Sequence, residues 1–394
     1  MTILYLIPGT YRAAGMERVL ANKANWLAAQ GHEIIIATTD QRNRPSAFRM
    51  NPSIRQTDLD INYEENNGGS FADKLIHYPG KQLRHRKALK ELLLRERPDI
   101  VISMYGNDAA FLPGLVTEIN RSIGRKCSAA QGIRKAPIRT VLEIHFSRFK
   151  RIQYGRKGIW ALADRFRSWN DLRIVKRFDR FVVLTEEDAG YWGALQNLRV
   201  IPNARTFTVE KPAALENKTV IAAGRYNSQK QFEALIDAWS LLAREFSDWT
   251  LRIAGDGEDK AFLERKIVDY RIQDKVVLGP EKDMKEAYLN SSILAMSSRY
   301  EGLPMVLLEA QACGLPIVSY ACKCGPKDVI TDGVDGYLVE EGNVTDLADK
   351  LFSLMADADL RKSMGEAAFK SSERYDEESV MARWDSLFNE LIHS

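Results

Sequence analysis

Apolar residues along this chain fall into short runs separated by stretches with helical spacing. ILYLI (3–7) is followed by MERVLANKANWLAAQ (16–30), whose apolar positions recur at intervals of three and four. Gly31 then ends that helix in C-cap fashion. HEIIIATT (32–39), DIVISMY (99–105), RTVLEIH (139–145), RFVVLT (180–185) and LRVIP (198–202) continue the strands of the first half. TVIAAGR (219–225), WTLRIAG (249–255), KVVLG (275–279), SILAMSS (292–298) and PIVSYA (316–321) repeat the rhythm in the second. Apolar strands alternating with helices predict parallel sheets covered on both faces. Two such series predict an α/β protein of two Rossmann-like, doubly wound domains. The break falls in the polar stretch NARTFTVEKPAALENK (203–218).

Open α/β sheets bind ligands beyond the carboxyl ends of their strands. Those ends read PGTYRAAGMERV after the first strand, GRYNSQKQF and GDGEDKAF after two strands of the second half, and SRYEGLP after SILAMSS. Glycine recurs there because backbone must turn sharply or come close to a ligand. The segment SSRYEGLPMVLLEAQACGLPI (297–317) carries two carboxylates, Glu301 and Glu309, eight positions apart in apolar surroundings. The pattern puts Glu301 in a loop and Glu309 inside the following helix, with Pro304 in the first helical turn. The backbone N–H groups present within 303–306, Pro304 having none, would then face the cleft and favour an anion such as phosphate. A carboxylate beside them makes sense if it accepts hydrogen bonds from sugar hydroxyls. The plainer alternative is a solvated cap and a surface helix residue.

The spacing Glu301-x7-Glu309, with Gly302 and Pro304 between and GLPIV after, resembles the EX7E signature of retaining GT-B glycosyltransferases of family GT4. AAGMERVLANKANWLAAQGHEI, GRYNSQKQFEALIDAW and CGPKDVITDGVDGYLVEEGN resemble other segments of that family, in the same order, so the likeness covers nearly the whole chain. Enzymes of bacterial polysaccharide and lipid-linked oligosaccharide synthesis are the most similar type. The resemblance implies two domains facing across a cleft: residues 1–203 for the acceptor and 204–374 for a nucleotide-sugar donor. A terminal helix near 375–394 would pack back on the first. It also implies roles. Arg225 and Lys230 would neutralise the donor diphosphate as charge builds on the leaving group, so that two cations and a helix start replace a metal. Glu309 would hold the ribose. Glu301, with Gly302, Leu303, Pro304 and Met305, would hold the donor sugar and phosphates. Gly255 and Asp256 would border the donor, Gly15 would let the first loop approach the diphosphate, and His145 would stand near the donor sugar. The sequence departs from the family's usual double glycine, with Ala14-Gly15, and has Gln231 after Lys230, where many relatives carry glycine. Retention by double displacement needs a nucleophile on the opposite sugar face, and no residue suggests itself. Front-face substitution, with the departing phosphate assisting the acceptor hydroxyl, follows from the resemblance.

Composition adds two things. The net charge of +3 conceals a split. Residues 1–205 hold 34 Lys and Arg against 20 Asp and Glu, and the remainder 22 against 33. The basic half points to an anionic partner. Its segments 81–97 and 147–178 interleave Lys and Arg with Phe149, Tyr154, Trp160, Phe166 and Trp169. That mixture suits an anionic membrane surface or a nucleic acid. A transferase with a lipid-linked acceptor favours the membrane, hence peripheral attachment to the inner face of the cell membrane from the cytoplasm, with no nucleic acid. Four cysteines are too few for a disulfide framework. No stretch of about 18 apolar residues occurs, and MTILYLIPG lacks a basic flank, so it reads as a buried strand rather than a signal peptide. Asp58-Leu59-Asp60 has the look of a DxD metal motif, but it lies in a polar, irregular stretch and is read as solvated, so no metal and no cofactor are expected. The donor is expected to be a UDP-hexose or UDP-N-acetylhexosamine, and the acceptor a saccharide or polyprenyl-linked saccharide. Rival readings are a sugar-nucleotide epimerase of the same fold, a nucleic-acid-binding protein using the basic half, and a dehydrogenase. No GxGxxG follows a strand to support the last.

Overall fold

In the computed structural model, which describes residues 1–66, 71–129, 136–149 and 158–393, the apolar runs assemble into two all-parallel sheets. The first contains β1 (Thr2–Ile7), β2 (Glu33–Thr38), β3 (Arg55–Asp58), β4 (Ile100–Ser103), β5 (Arg139–Glu143), β6 (Arg180–Val183) and β7 (Leu198–Val200), in the order β3-β2-β1-β4-β5-β6-β7. The second contains β8 (Thr219–Ala223), β9 (Thr250–Ala254), β10 (Val276–Gly279), β11 (Ile293–Met296), β12 (Ile317–Tyr320) and β13 (Gly336–Val339), in the order β10-β9-β8-β11-β12-β13. Both orders reverse direction beside their first strand, which is the doubly wound pattern and opens a crevice at the strands' carboxyl ends.

Alternation along each strand explains the layers. Ile3, Tyr5 and Ile7 face one side of the first sheet, with Leu20, Ala24 and Leu27 of the helix Gly15–Ala29. Leu4 and Leu6 face the other, with Leu89, Leu92 and Leu93 of the helix Phe71–Glu96. The second sheet divides in the same way: Val220 and Ala222 face one core and Ile221 the other.

The chain crosses between domains twice. After β7 it passes into the second domain, and after the helix Ala358–Ser371 it returns. The final helix, Glu377–His393, places Val380, Trp384, Phe388 and Leu391 in the core beneath Ile3 and Tyr5. Glu390 accepts from Arg180 at 2.5 Å and Arg199 at 2.7 Å, which ties the helix to β6 and β7. At the crossing, the Arg205 amide donates to the Tyr375 carbonyl at 2.8 Å, and its side chain donates to Ser372 at 2.9 Å.

One segment differs from the sequence reading. Arg55–Asp58 lies within the polar stretch expected to be irregular, yet it pairs in parallel with Ile35–Thr38. It is an edge strand, half exposed, where polar side chains cost little and guard against edge pairing. Asp58 is correspondingly occupied: it accepts from Thr38 Oγ1 at 3.1 Å and from the Arg42 amide at 2.9 Å.

Candidate active site

The site is built where the carboxyl ends of β1, β5, β8, β9 and β11 converge between the domains. Backbone fixes it first. Gly224 and Gly255, which follow β8 and β9, both adopt φ of +154°, a region that side chains rarely enter. A Cβ on Gly255 would stand 1.9 Å from the Gly224 carbonyl oxygen, so the two loops touch main chain to main chain. A Cβ on Gly224 would meet Lys230 Cε at 2.8 Å, so the lysine stem lies across that glycine. The glycines therefore seat Lys230.

Lys230 Nζ then reaches Glu301 Oε1 at 2.7 Å, with the two side chains 18% and 10% exposed. Ser297 Oγ donates to the Lys230 carbonyl at 2.9 Å, and Gln229 Nε2 to that of Tyr300 at 2.9 Å, locking the two loops together. Arg225 is exposed and makes no hydrogen bond or ion pair among the described residues. Asp256 uses its carboxylate on its own loop, accepting from the Gly257 amide at 2.9 Å.

The helix after Glu301 runs Met305–Ala312. Pro304 is its N-cap, with extended backbone (φ −71°, ψ 113°), rather than a member of its first turn as the sequence suggested. Pro304 makes no side-chain cap bond there, so it leaves the first amides of the helix as donors. Leu303 and Pro304 are buried and Met305 is half-buried. Glu309 is tied down within this helix: Oε1 accepts from Thr206 Oγ1 at 2.8 Å and Oε2 from the Tyr288 hydroxyl at 3.2 Å. Burial pushes the Glu309 carboxyl up, while the Thr206 bond and the nearby Arg18 charge oppose the rise. Arg18 belongs to the helix Gly15–Ala29 of the first domain, so that helix start overlooks Glu309 from across the cleft. Gly15 begins it, and a Cβ there would meet nothing within 4 Å.

His145 arrives from the first domain, two residues past β5. A Cβ on Gly302 would stand 2.5 Å from the His145 carbonyl oxygen, so the loop bearing Glu301 lies directly against the loop bearing His145. Beside them the two domains are joined by polar contacts. Asp328 accepts from the Glu186 amide at 2.7 Å, and Glu187 accepts from the Cys324 amide at 2.8 Å. A cleft of about 450 Å³ opens at the strand ends of the first domain, lined by Pro8, Tyr105, Asn107, Phe146, Arg167 and Asn170 among others.

The structure thus brings Lys230, Glu301, Gly302 and His145 together and sets Arg225, without a partner among the described residues, on the same loop system. Thr206, Tyr288 and Arg18 around Glu309 escaped the sequence reading, as did Lys23 and Glu143 behind His145. For Glu143 a signal existed: it sits two residues before His145 at a strand end, so the two side chains share a face. The aromatic residues of the basic half divide. Phe166 and Trp169 are exposed on the helix Ile159–Val175, with ring centroids 5.7 Å apart and Arg173 stacked over Trp169 at 4.9 Å. Phe149 instead packs against Tyr191 at 4.8 Å, with Lys323 over its ring, inside the domain contact. Tyr154 and the Trp160 side chain lie outside the described residues. In the run 81–97, Lys81 is buried and donates to the Asn62 carbonyl, while Arg86 and Lys90 pair with Glu118. Among the described residues no group of three or more His, Cys, Asp or Glu could hold a metal, and no helix is long and apolar enough to cross a membrane.

Comparison with known proteins extends these observations. The family described as Glycosyltransferase Family 4 matches residues 13–205, and that described as Glycosyl transferases group 1 matches 204–371. The amylovoran biosynthesis glycosyltransferase AmsD of Erwinia amylovora is 36% identical over 222 residues, covering 54% of this chain and 62% of that one. An uncharacterized glycosyltransferase of Haemophilus influenzae is 28% identical over 380 residues, covering 95% and 96%. The chain thus spans less than two thirds of the Erwinia relative but nearly all of the Haemophilus one. Among solved structures, a point mutant of S. aureus TarM in complex with fondaparinux, alpha-GlcNAc-glycerol and UDP superposes with a TM-score of 0.71 at 15% identity, covering 98% and 99%. Anabaena Alr3699/HepE in complex with UDP and glucose gives 0.67 at 14%, covering 99% and 100%. Two matched family segments in the expected order, each on its own Rossmann-like sheet, leave one assignment: the chain belongs to the family 4 type of GT-B glycosyltransferases.

Proposed function

We propose that this glycosyltransferase works with retention, moving a hexose or N-acetylhexosamine from a UDP donor to a hydroxyl of a saccharide or polyprenyl-linked acceptor. The observation that carries the reading is the Lys230–Glu301 pair, facing the His145 loop at the converging strand ends. A cation beside a carboxylate suits a site where a diphosphate leaves a sugar. Lys230 and Arg225 meet the growing negative charge, as do the free amides before Val306. Lys230 can turn from Glu301 to phosphate, which frees the carboxylate for sugar hydroxyls. Glu309 keeps unused lone pairs beside its Thr206 and Tyr288 bonds, which leaves it able to accept from ribose hydroxyls. The positive charge required is present in side chains and backbone, so the reaction proceeds without a metal. In this reading the departing phosphate, rather than a nucleophile of the protein, takes the acceptor's proton on the same face of the sugar as the donor bond breaks.

Residues 204–374 form the donor domain in this reading and residues 1–203 the acceptor domain, with the cleft beside Tyr105 and Arg167 receiving the acceptor. The UDP-bound TarM and Alr3699/HepE structures, alike in fold, support the choice of base. The exposed Phe166, Trp169 and Arg173 support contact with an anionic membrane surface, where a lipid-linked acceptor resides. The test is a panel of UDP- and GDP-sugars, screened first by thermal shift and then by product mass with candidate acceptors in excess chelator. Transfer from a UDP-sugar that depends on acceptor and persists with chelator is expected. Conversion of the donor without acceptor would point to the epimerase. Abolition by chelator with restoration by a divalent ion would overturn the metal-free reading.

A further inference from the structure

Behind His145 lies an ion pair unusual for its depth. Lys23, on the helix Gly15–Ala29, points into the core of the first domain with only 4% of its side chain exposed. Its Nζ donates to Glu143 Oε2 at 2.5 Å, and Glu143 is 1% exposed. The other oxygen, Oε1, stands 3.1 Å from His145 Nε2, at ion-pair distance though not aligned as a straight hydrogen bond. Lys23 is also enclosed by rings: its Nζ sits 3.9 Å over Trp384 of the final helix and 5.4 Å from the ring centre of Tyr5. A cavity of about 20 Å³, lined by Lys23, Glu143, Asn203, Glu377 and Trp384, adjoins the pair and has room for one water.

Burying such a pair stabilises a fold poorly, because desolvation of both ions offsets their attraction, and apolar side chains of equal volume do as well or better. Stability therefore does not explain why one carboxylate oxygen is matched to a lysine and the other to the cleft histidine. We propose that Lys23 and Glu143 are positioning residues: Lys23 keeps Glu143 ionised in the core, and Glu143 holds the His145 ring with its proton on Nε2. The seal over this relay comes from Trp384, so the returning helix supports the histidine of the cleft. An imidazole whose proton is fixed on one nitrogen presents the other, Nδ1, as an acceptor. Glu17 from the same helix as Lys23, Glu143 and Lys23 themselves, Tyr5, Glu377 and Glu301 on the apposed loop are the titratable and charged groups facing this region.

The inference rests on His145 serving the transfer, and the experiment separates the two. The chain has five histidines, so ¹⁵N-histidine spectra, with His145→Asn to identify the signal, report the tautomer directly. The wild type is expected to show the Nε2–H tautomer. Glu143→Gln, and the double variant Lys23→Met with Glu143→Gln, which removes both charges at nearly constant volume, are expected to show a mixture. Turnover of the UDP-sugar that proves to be the donor should fall about 10-fold or more with KM unchanged, the scale for a slightly misplaced group. Unchanged tautomer and turnover in the folded double variant overturn the relay. If His145→Asn leaves turnover intact while Glu143→Gln still shifts the tautomer, the relay stands and the role of His145 in transfer fails.

Discussion

Glu301 and Glu309 are the same side chain in different surroundings, and in the proposed reading those surroundings give them different work. Glu309 is locked by Thr206 and Tyr288 before any ligand arrives, so its grip should serve ground state and transition state alike. Among the described residues the Glu301 carboxylate is held by Lys230 alone, a partner the diphosphate can take over in the proposed reading, so its contribution should grow as the donor bond breaks. Glu309→Gln should chiefly raise the donor KM, and Glu301→Gln chiefly lower kcat, with UDP affinity retained. Steady-state constants with separate UDP titration decide it, and the reverse pattern exchanges the roles. Arg225→Ala and Lys230→Ala should each cut turnover about 100-fold or more, the scale for losing one preorganised donor to developing charge. Circular dichroism should show the fold intact, and near-normal turnover in both would remove the clamp.

A buried aspartate of the first domain gives a pH dependence. Asp108 is 3% exposed, its Oδ2 has no hydrogen-bond partner among the described residues, and burial raises its carboxyl from the ordinary 3.8 to about 6. The folded protein thus holds this proton more tightly than the unfolded chain. Between those two values, stability from this group falls as pH rises, by a total of about 3 kcal/mol, and the loss is complete above pH 6. Asp108→Asn should remove that slope. Urea unfolding at pH 4, 5, 6 and 7 measures it, and equal slopes for variant and wild type would refute the assignment.

Loops at the strand ends show why some glycines are required and others tolerated. At Gly302 an added methyl group meets the His145 carbonyl at 2.5 Å, which backbone cannot yield without parting the two domains. At Gly15 the same methyl group meets open space. Gly302→Ala should therefore lower turnover about 10-fold or more, while Gly15→Ala should keep the wild-type melting temperature. Comparable losses in both would mean that Gly302 does not set the approach.

This contrast bears on what the sequence could disclose. Strands and helices were legible because each has its own period, and apolar strands buried on both faces stand out as runs. The edge strand Arg55–Asp58 was not, because its polarity matches a loop and only pairing with β2 reveals it. Lys230 and Glu301 could be found by reading strand ends, with the family resemblance supplying their roles. Thr206 and Lys23 could not. Their partners are 103 and 120 positions away, and no local spacing records such a contact. A lysine on a helix reads as solvated until the sheet beneath it is known.

At the scale of the molecule, charge is unevenly shared. The first half carries the excess of Lys and Arg, and the exposed aromatic residues of Ile159–Val175 lie there too. The protein should pellet with anionic vesicles at low salt and release as salt rises, since screening acts within about 10 Å at 0.1 M. Phe166→Ser with Trp169→Ser should weaken the binding that remains at high salt. Equal binding to neutral vesicles would exclude the electrostatic part.

The returning helix also sets an order of events during synthesis. Domains commonly fold as they emerge, the first ahead of the second. Here the core under β1 lacks Trp384, Phe388 and Leu391 until the second domain has already been made. The first domain is begun ahead of the second and completed after it. Meanwhile the second sheet, whose strands lie entirely between residues 219 and 339, can close on its own contacts. A nascent chain halted before residue 380 would expose the apolar face of β1 and β2 to chaperones, however well its second domain had folded.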